Sequence, residues 1–169
     1  MEKYKMTEET IQVYGVTLHR IQALKDIWLN IRKGDLGGFI EKEENLSQHG
    51  NAWVYGNAEV SGDAIVYGVA KVSGNAIVSD NARVFGNAWV FDNAKVYDNA
   101  RVSGDAWVFD KAIVHGNAKV YGNAWVSDDA EVSGNARVFG NARVFGNAWV
   151  YGYARVFGNA RVFGNAQVS

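Results

Sequence analysis

Three histidines, His19, His49 and His115, hold all the imidazole in this chain, and no cysteine accompanies them. Without Cys, a disulfide framework, a thiolate zinc site and a cysteine nucleophile are excluded together. His19 and His49 lie too far apart in sequence to suggest a metal pair. His115 could serve as a general base only with a carboxylate placed to orient it, so its chemistry depends on what the fold stacks beside it. The nineteen glycines recur at regular spacing and belong to chain corners, so they do not form a phosphate-cradling loop. From these residues we expect no catalytic group, no metal site and no cofactor.

The side chains that remain able to act are aromatic and cationic. Six Trp, eight Tyr and eight Phe stand beside 17 Lys+Arg and 18 Asp+Glu, for a net charge of -1. That balance argues against a polyanion binder driven by overall charge, while leaving room for a local basic stripe. No apolar run is long enough to span a membrane. The opening MEKYKMTEET has no apolar stretch behind its charges and does not read as a signal peptide. A cytoplasmic protein is expected.

What positions these groups is a repeat. Val recurs every sixth residue from Val54 to Val168, twenty times without a gap, and Ala stands two residues before each, from Ala52 to Ala166. Between them the chain alternates inward and outward over a short strand, as in Ala88-Trp89-Val90-Phe91. Each unit then turns through Gly or Asp followed mostly by Asn, as in Gly86-Asn87 and Asp92-Asn93, residues that tolerate positive φ or bond their own backbone. A six-residue unit cannot fold alone and must stack on copies of itself. The expected fold is all-β: a triangular parallel β-solenoid over 51–169, with three six-residue sides per 18-residue coil and six to seven coils. At about 4.8 Å per coil the prism is roughly 30 Å long.

The unit Val84-Phe85-Gly86-Asn87-Ala88-Trp89 resembles the hexapeptide repeat of the single-stranded left-handed parallel β-helix. Relatives in that family are largely trimeric acyltransferases, with a histidine base near a subunit boundary and loops that interrupt the coils. The resemblance implies a left-handed coil. Lys33-Gly34-Asp35-Leu36-Gly37-Gly38-Phe39 and Glu44-Asn45-Leu46-Ser47-Gln48 resemble the cap of YdcK-type repeat proteins of bacteria and phages, for which "transferase" rests on fold analogy. This chain departs from the enzymes in having no insertion between Val54 and Val168. An acyltransferase-like enzyme with a site between subunits stays open as the alternative, as does a polymer-forming solenoid.

Residues 1–50 form a β-rich cap. Ile11 to Ile21 alternates about Tyr14-Gly15 and reads as a hairpin. Ala23 to Trp28 fits either its continuation or a helical turn. Ile40 and Leu46 fall in the Ala register, with Lys42 and Gln48 in place of Val, as in a degenerate first coil.

An 18-residue coil sorts the outward residues into faces. The first carries Trp53, Lys71, Trp89, Trp107, Trp125, Arg143 and Arg161, with Phe91 and Phe109 beside the Trp ladder. Rings repeated at the coil spacing can simply stack on one another, or they can offer an apolar surface to a partner, a second copy of the chain being the first candidate. Trp89, Trp107, Trp125, Phe91 and Phe109 are therefore the candidate interaction face. The third face aligns Arg83, Arg101, Lys119, Arg137 and Arg155, a candidate anion-binding column. Stacking of these cations on neighbouring rings is the bland alternative to an anionic partner such as a nucleic acid. On the second face His115 lies between Tyr97 and Ser133, with no carboxylate in its own column. The last coil, ending in Val168, reads as uncapped and as a second route to homo-oligomers. The reading is a non-enzymatic structural or protein-interaction solenoid.

If the Val and Ala columns point inward, Val102→Asp will bury an unpaired carboxylate at a cost of several kcal/mol. The variant should unfold or misassemble. Thermal melting followed by circular dichroism checks this, and a soluble variant as heat-stable as the wild type would contradict the inward assignment.

Overall fold

A computed structural model describes residues 2–27 and 30–169, and its architecture follows from the ladder that the valines enforce. Twenty two-residue strands, from Trp53–Val54 to Gln167–Val168, wind into a solenoid of about seven coils. Strands three apart in sequence pair in parallel, Val on Val, so that Val90 lies between Val72 and Val108. The offset is 18 residues throughout this region. Three sheets result. One runs from Trp53–Val54 to Arg161–Val162, a second from Ile65–Val66 to Arg155–Val156, and the third carries Glu59–Val60 to Gln167–Val168 and extends into the cap.

The interior consists of the two columns expected. Val54 through Val150 and the alanines between them have essentially no exposed surface. Each valine withdrawn from water contributes about 2 kcal/mol, and it does so only if its neighbours along the axis are also present. The ladder closes through the backbone: Trp89 N–H donates to Ala106 O at 3.0 Å and Phe91 N–H to Val108 O at 3.0 Å, and the same pair of bonds recurs from coil to coil. In the last coil Ala160 and Ala166 are exposed, and Val162 and Val168 are half-buried.

Corners differ from expectation in one respect. Positive φ falls on the first corner residue alone, Gly or Asp, and the Asn that follows does not adopt it. Five Asp residues, Asp80, Asp92, Asp98, Asp110 and Asp128, accept φ between 57° and 59°. Four of these carboxylates bridge two coils or anchor a bridge: Asp98 Oδ2 accepts from Gly116 N–H at 3.0 Å and Asp128 Oδ2 from Gly146 N–H at 2.9 Å, while Asp80 and Asp110 receive longer bonds from Asp98 and Asp128. That bond offsets the roughly 1 kcal/mol by which the left-handed region disfavours a residue with a Cβ. The Asn side chains instead link coil to coil, as Asn123 does to Asn141 and Asn141 to Asn159.

The cap grows out of the third sheet. Strands β1 (Tyr4–Val13) and β2 (Val16–Ala23) form the expected antiparallel hairpin. Its turn places Tyr14 at φ 48° and Gly15 at φ 85°, and two successive positive values match the twist of a two-residue hairpin. Strand β3 (Leu36–Ile40) pairs antiparallel with β2 and parallel with Glu59–Val60. Gly37 and Gly38 allow this approach, because a Cβ at either would come within 2.6 Å of a backbone carbonyl oxygen, Val54 O or Ala58 O. Strand β2 ends at Ala23, so no strand continues beyond it; Trp28 lies outside the described residues.

The degenerate first coil is present, but its register is corrected. Ile40 pairs with Val60 and Leu46 with Val66, so both occupy Val positions, not Ala positions. Two extra residues between Leu46 and Ala52 absorb the difference, lengthening the offset to the next coil to 20. Physically, a large side chain must cover each terminal valine, and an Ala-column placement would leave a void there. Asn45, fully buried in a 3-10 turn over Glu43–Asn45, ties this coil down by donating to Gly62 O and Ala64 O and accepting from the Glu41 and Lys42 amides. Among the described residues no helix is long and apolar enough to cross a membrane.

Lys3 is the costly residue of the junction. It has no exposed surface, and its ammonium donates to Ala52 O at 2.8 Å. Burial, reinforced by the charge of Lys25, pushes its pKa from an ordinary 10.5 down to about 8. A base whose folded pKa is depressed penalises folding fully below that value, and the penalty fades as pH rises from about 8 towards 10.5. Burial also raises the Tyr4 hydroxyl above its ordinary 10.0, an effect that opposes stability only above that pH. The melting midpoint should therefore climb by a few degrees between pH 8 and 10, and Lys3→Met should flatten that rise in calorimetric scans.

Candidate functional site

The outward residues meet through two relations that the coil generates. Residues 18 apart stack directly. Residues 16 apart meet on a diagonal, because the position after one valine lies beside the position before the valine one coil on. Phe91 and Trp107 show the diagonal, with centroids 5.9 Å apart and planes at 80°.

On the first face the expected ladder is assembled. Trp107 and Trp125 stack with centroids 5.1 Å apart and planes within 5°, and Trp89 meets Trp107 edge to face at 5.5 Å. Phe91 and Phe109 stack at 4.9 Å beside them. None of these five rings is fully buried. Cations close the ladder at both ends: Lys71 lies 5.5 Å from the centre of Trp89, and the Arg143 guanidinium 4.4 Å from that of Trp125. Trp53 belongs to the same column but leaves the surface, since the cap covers it and Tyr4 packs edge-on at 6.2 Å.

The cation column of the third face is likewise in register, Arg83 beside Arg101, then Lys119, Arg137 and Arg155. Among the described residues, Arg155 is the one of these five that lies over a ring, at 5.9 Å from the centre of Phe139. Among the described residues no carboxylate pairs with any of the five. Solvent screening, more than ring stacking, keeps the column tolerable.

His115 requires a correction. Its column holds no carboxylate, yet Nε2 lies 2.9 Å from Glu131 Oε1 on the diagonal and Nδ1 lies 3.6 Å from Asp98 Oδ2 at the corner below. The ring also stacks on Tyr97 at 4.9 Å. Tyr97 is held above its ordinary pKa of 10.0 by burial first, then by Glu131, Asp98 and Asp80. The 16-residue diagonal was the missing signal. His19 bonds the Thr7 carbonyl and His49 lines a recess of about 530 Å³ between cap and first coil, so the three histidines do not converge. Among the described residues no cluster suited to a metal ion is formed.

Serines interrupt the ring columns, and sequence reasoning passed over them. Ser73 lies between Tyr55 and Phe91, and Ser133 between His115 and Tyr151. In both cases the diagonal partner is a tryptophan that leans across: Trp89 Nε1–H donates to Ser73 Oγ and Trp149 Nε1–H to Ser133 Oγ, each at 2.9 Å. Each indole also packs on the ring beside it, Trp89 on Phe91 at 4.6 Å and Trp149 on Tyr151 at 4.5 Å. Ser127, between Phe109 and Phe145, has Arg143 on its diagonal, and Ser103, between Phe85 and Tyr121, has Lys119.

The family model of the YdcK beta solenoid repeat matches residues 78–92, 94–110, 100–116, 136–152 and 154–169. Over these stretches the chain is similar to the YdcK beta solenoid repeat. No curated protein matches it. Each match spans close to one full coil of the prism. In this chain the Val and Ala columns face the core, and the positions before and after each valine, where Trp, Arg, Ser and His appear, face outward.

The serine bonds make a local prediction. Ser133→Ala removes the acceptor from a nearly buried site and should cost about 1 kcal/mol, with faster exchange of the Trp149 indole proton. Chemical denaturation and indole hydrogen exchange by NMR measure the two effects.

Proposed function

We propose that this β-solenoid is a non-enzymatic interaction module that presents the Trp89, Trp107, Trp125, Phe91 and Phe109 face to a protein partner, a second copy of the chain being the first candidate. The observation that supports it is the contiguity of that face: five partly exposed rings in mutual contact over three successive coils, with a cation at each end. Ring clusters of this kind are typical interface hot spots. Self-stacking accounts for the order of the rings, while their remaining exposure is what a partner would cover. The flat face is continuous because the coil from Trp53 to Val168 contains no insertion.

A second reading is favoured by one observation. His115, fixed between Glu131 and Asp98, has the surroundings of an oriented base, as an acyltransferase-like enzyme with a site between subunits would need. Residues from a second subunit would have to complete it.

Light-scattering mass after size exclusion tests the first reading. The triple variant Trp89→Ser, Trp107→Ser, Trp125→Ser should lower the mass of the wild-type assembly while its β-rich circular dichroism persists. Loss of association on Arg83→Ser, Arg101→Ser, Arg137→Ser, mimicked by added salt, would instead indicate an anionic partner such as a nucleic acid. Calorimetric binding of acetyl-CoA is expected on the enzymatic reading and not on the first.

A further inference from the structure

Ser127 interrupts a column of rings at the end of the aromatic face. Below it Phe91 and Phe109 stack at 4.9 Å, and above it Phe145 and Phe163 stack at 5.4 Å. One rung is missing, so the Phe109 and Phe145 rings stand about two strand spacings apart, roughly 10 Å. A planar ring placed midway would lie about 5 Å from each, within the range of stacked aromatic pairs. The space exists as a recess of about 230 Å³ lined by Phe109, Trp125, Ser127, Asp128, Arg143, Phe145 and Arg161.

The molecule shows twice what packs beside such a serine. At Ser73 and at Ser133 it is an indole that donates its N–H to the serine hydroxyl and packs on the neighbouring ring. At Ser127 the diagonal residue that would supply it is Arg143, whose guanidinium lies instead on Trp125. Arg161 lies on Phe145 at 5.6 Å. Both guanidiniums line the recess, and among the described residues neither is paired with a carboxylate. The single acid, Asp128, has one carboxylate oxygen engaged by the Gly146 amide. Two cations against one acid favour an occupant with negative charge beside its ring.

We infer that the Ser127 recess is a docking slot for a tryptophan side chain in an acidic segment of a protein partner. The inference rests on the interaction reading above and names the chemistry of the partner. The indole completes the interrupted ring column between Phe109 and Phe145, its N–H donates to Ser127 Oγ, and flanking carboxylates meet Arg143 and Arg161. An indole is favoured over a nucleobase because Ser73 and Ser133 both accept an indole N–H.

The probe is the peptide acetyl-Glu-Trp-Glu-amide, titrated into the isotope-labelled full chain and followed by NMR at the Ser127 amide and the Trp125 indole proton. Saturable shifts centred on these two groups are expected. Ser127→Phe restores the missing ring, keeps the column in register and should weaken the peptide by about tenfold or more. Ser103→Phe, which fills the comparable interruption between Phe85 and Tyr121, should leave the affinity within about twofold. The neutral peptide acetyl-Gln-Trp-Gln-amide should bind several-fold more weakly, a difference that Arg143→Ser with Arg161→Ser removes. Absence of shifts at Ser127 and Trp125, undiminished binding by Ser127→Phe, or binding there of adenosine monophosphate but not the peptide would overturn the proposal. Those results leave the mass of the wild-type assembly and of its triple Trp variant to decide the broader interaction reading separately.

Discussion

Every feature of this protein depends on valine lying over valine at each turn of the coil. A hexad buries its Val and Ala only when the coils above and below supply the same pair, so the core is a column of nearest-neighbour contacts. The backbone ladder has the same dependence, since each strand is only two residues long and makes no bond within itself. Stability therefore builds up along the axis, and any end of the column must be covered or left partly wet. At the N-terminal end the cover is specific: Ile40 and Leu46 lie over Val60 and Val66, Asn45 satisfies the carbonyls of the adjoining corner, and Trp53 is sealed beneath Tyr4.

Once the interior is fixed in this way, the outside becomes a lattice of constant geometry. Columns repeat at one strand spacing and diagonals join each post-valine position to the pre-valine position one coil later. Whatever residues occupy neighbouring lattice points must interact. Trp on Trp gives a stacked ladder, Trp on Ser gives an indole bond, Glu on His gives an oriented imidazole, and Arg on Trp gives a capped ring. The like-charged column from Arg83 to Arg155 is the unfavourable instance of the same rule, tolerable because its members are mostly exposed and screened.

This arrangement separates the positions that build the core from those that build the surface. The Val and Ala columns tolerate almost no change, whereas outward positions can be exchanged with small local cost. The outward positions alone decide which rings are consecutive and where a serine interrupts them. The corners belong to both roles: a Gly or Asp there supplies the left-handed turn, and the Asp carboxylates add bonds between coils that also place charge beside the faces.

The amino-acid sequence alone determined the solenoid, the inward columns, the 18-residue register and the membership of each outward face, because a strict six-residue period must stack like residues on like. It also located the hairpin at Tyr14-Gly15. Only the tertiary structure decided that Ile40 and Leu46 cover valines, since two extra residues shift them out of the period and no repeat signal records the shift. Only the structure placed Glu131 and Asp98 about His115, buried Trp53 and left a ring-sized recess at Ser127. These contacts run on the diagonal or across the cap, where side-chain reach and the slant of the coil determine which neighbours meet, and neither quantity is written in the repeat.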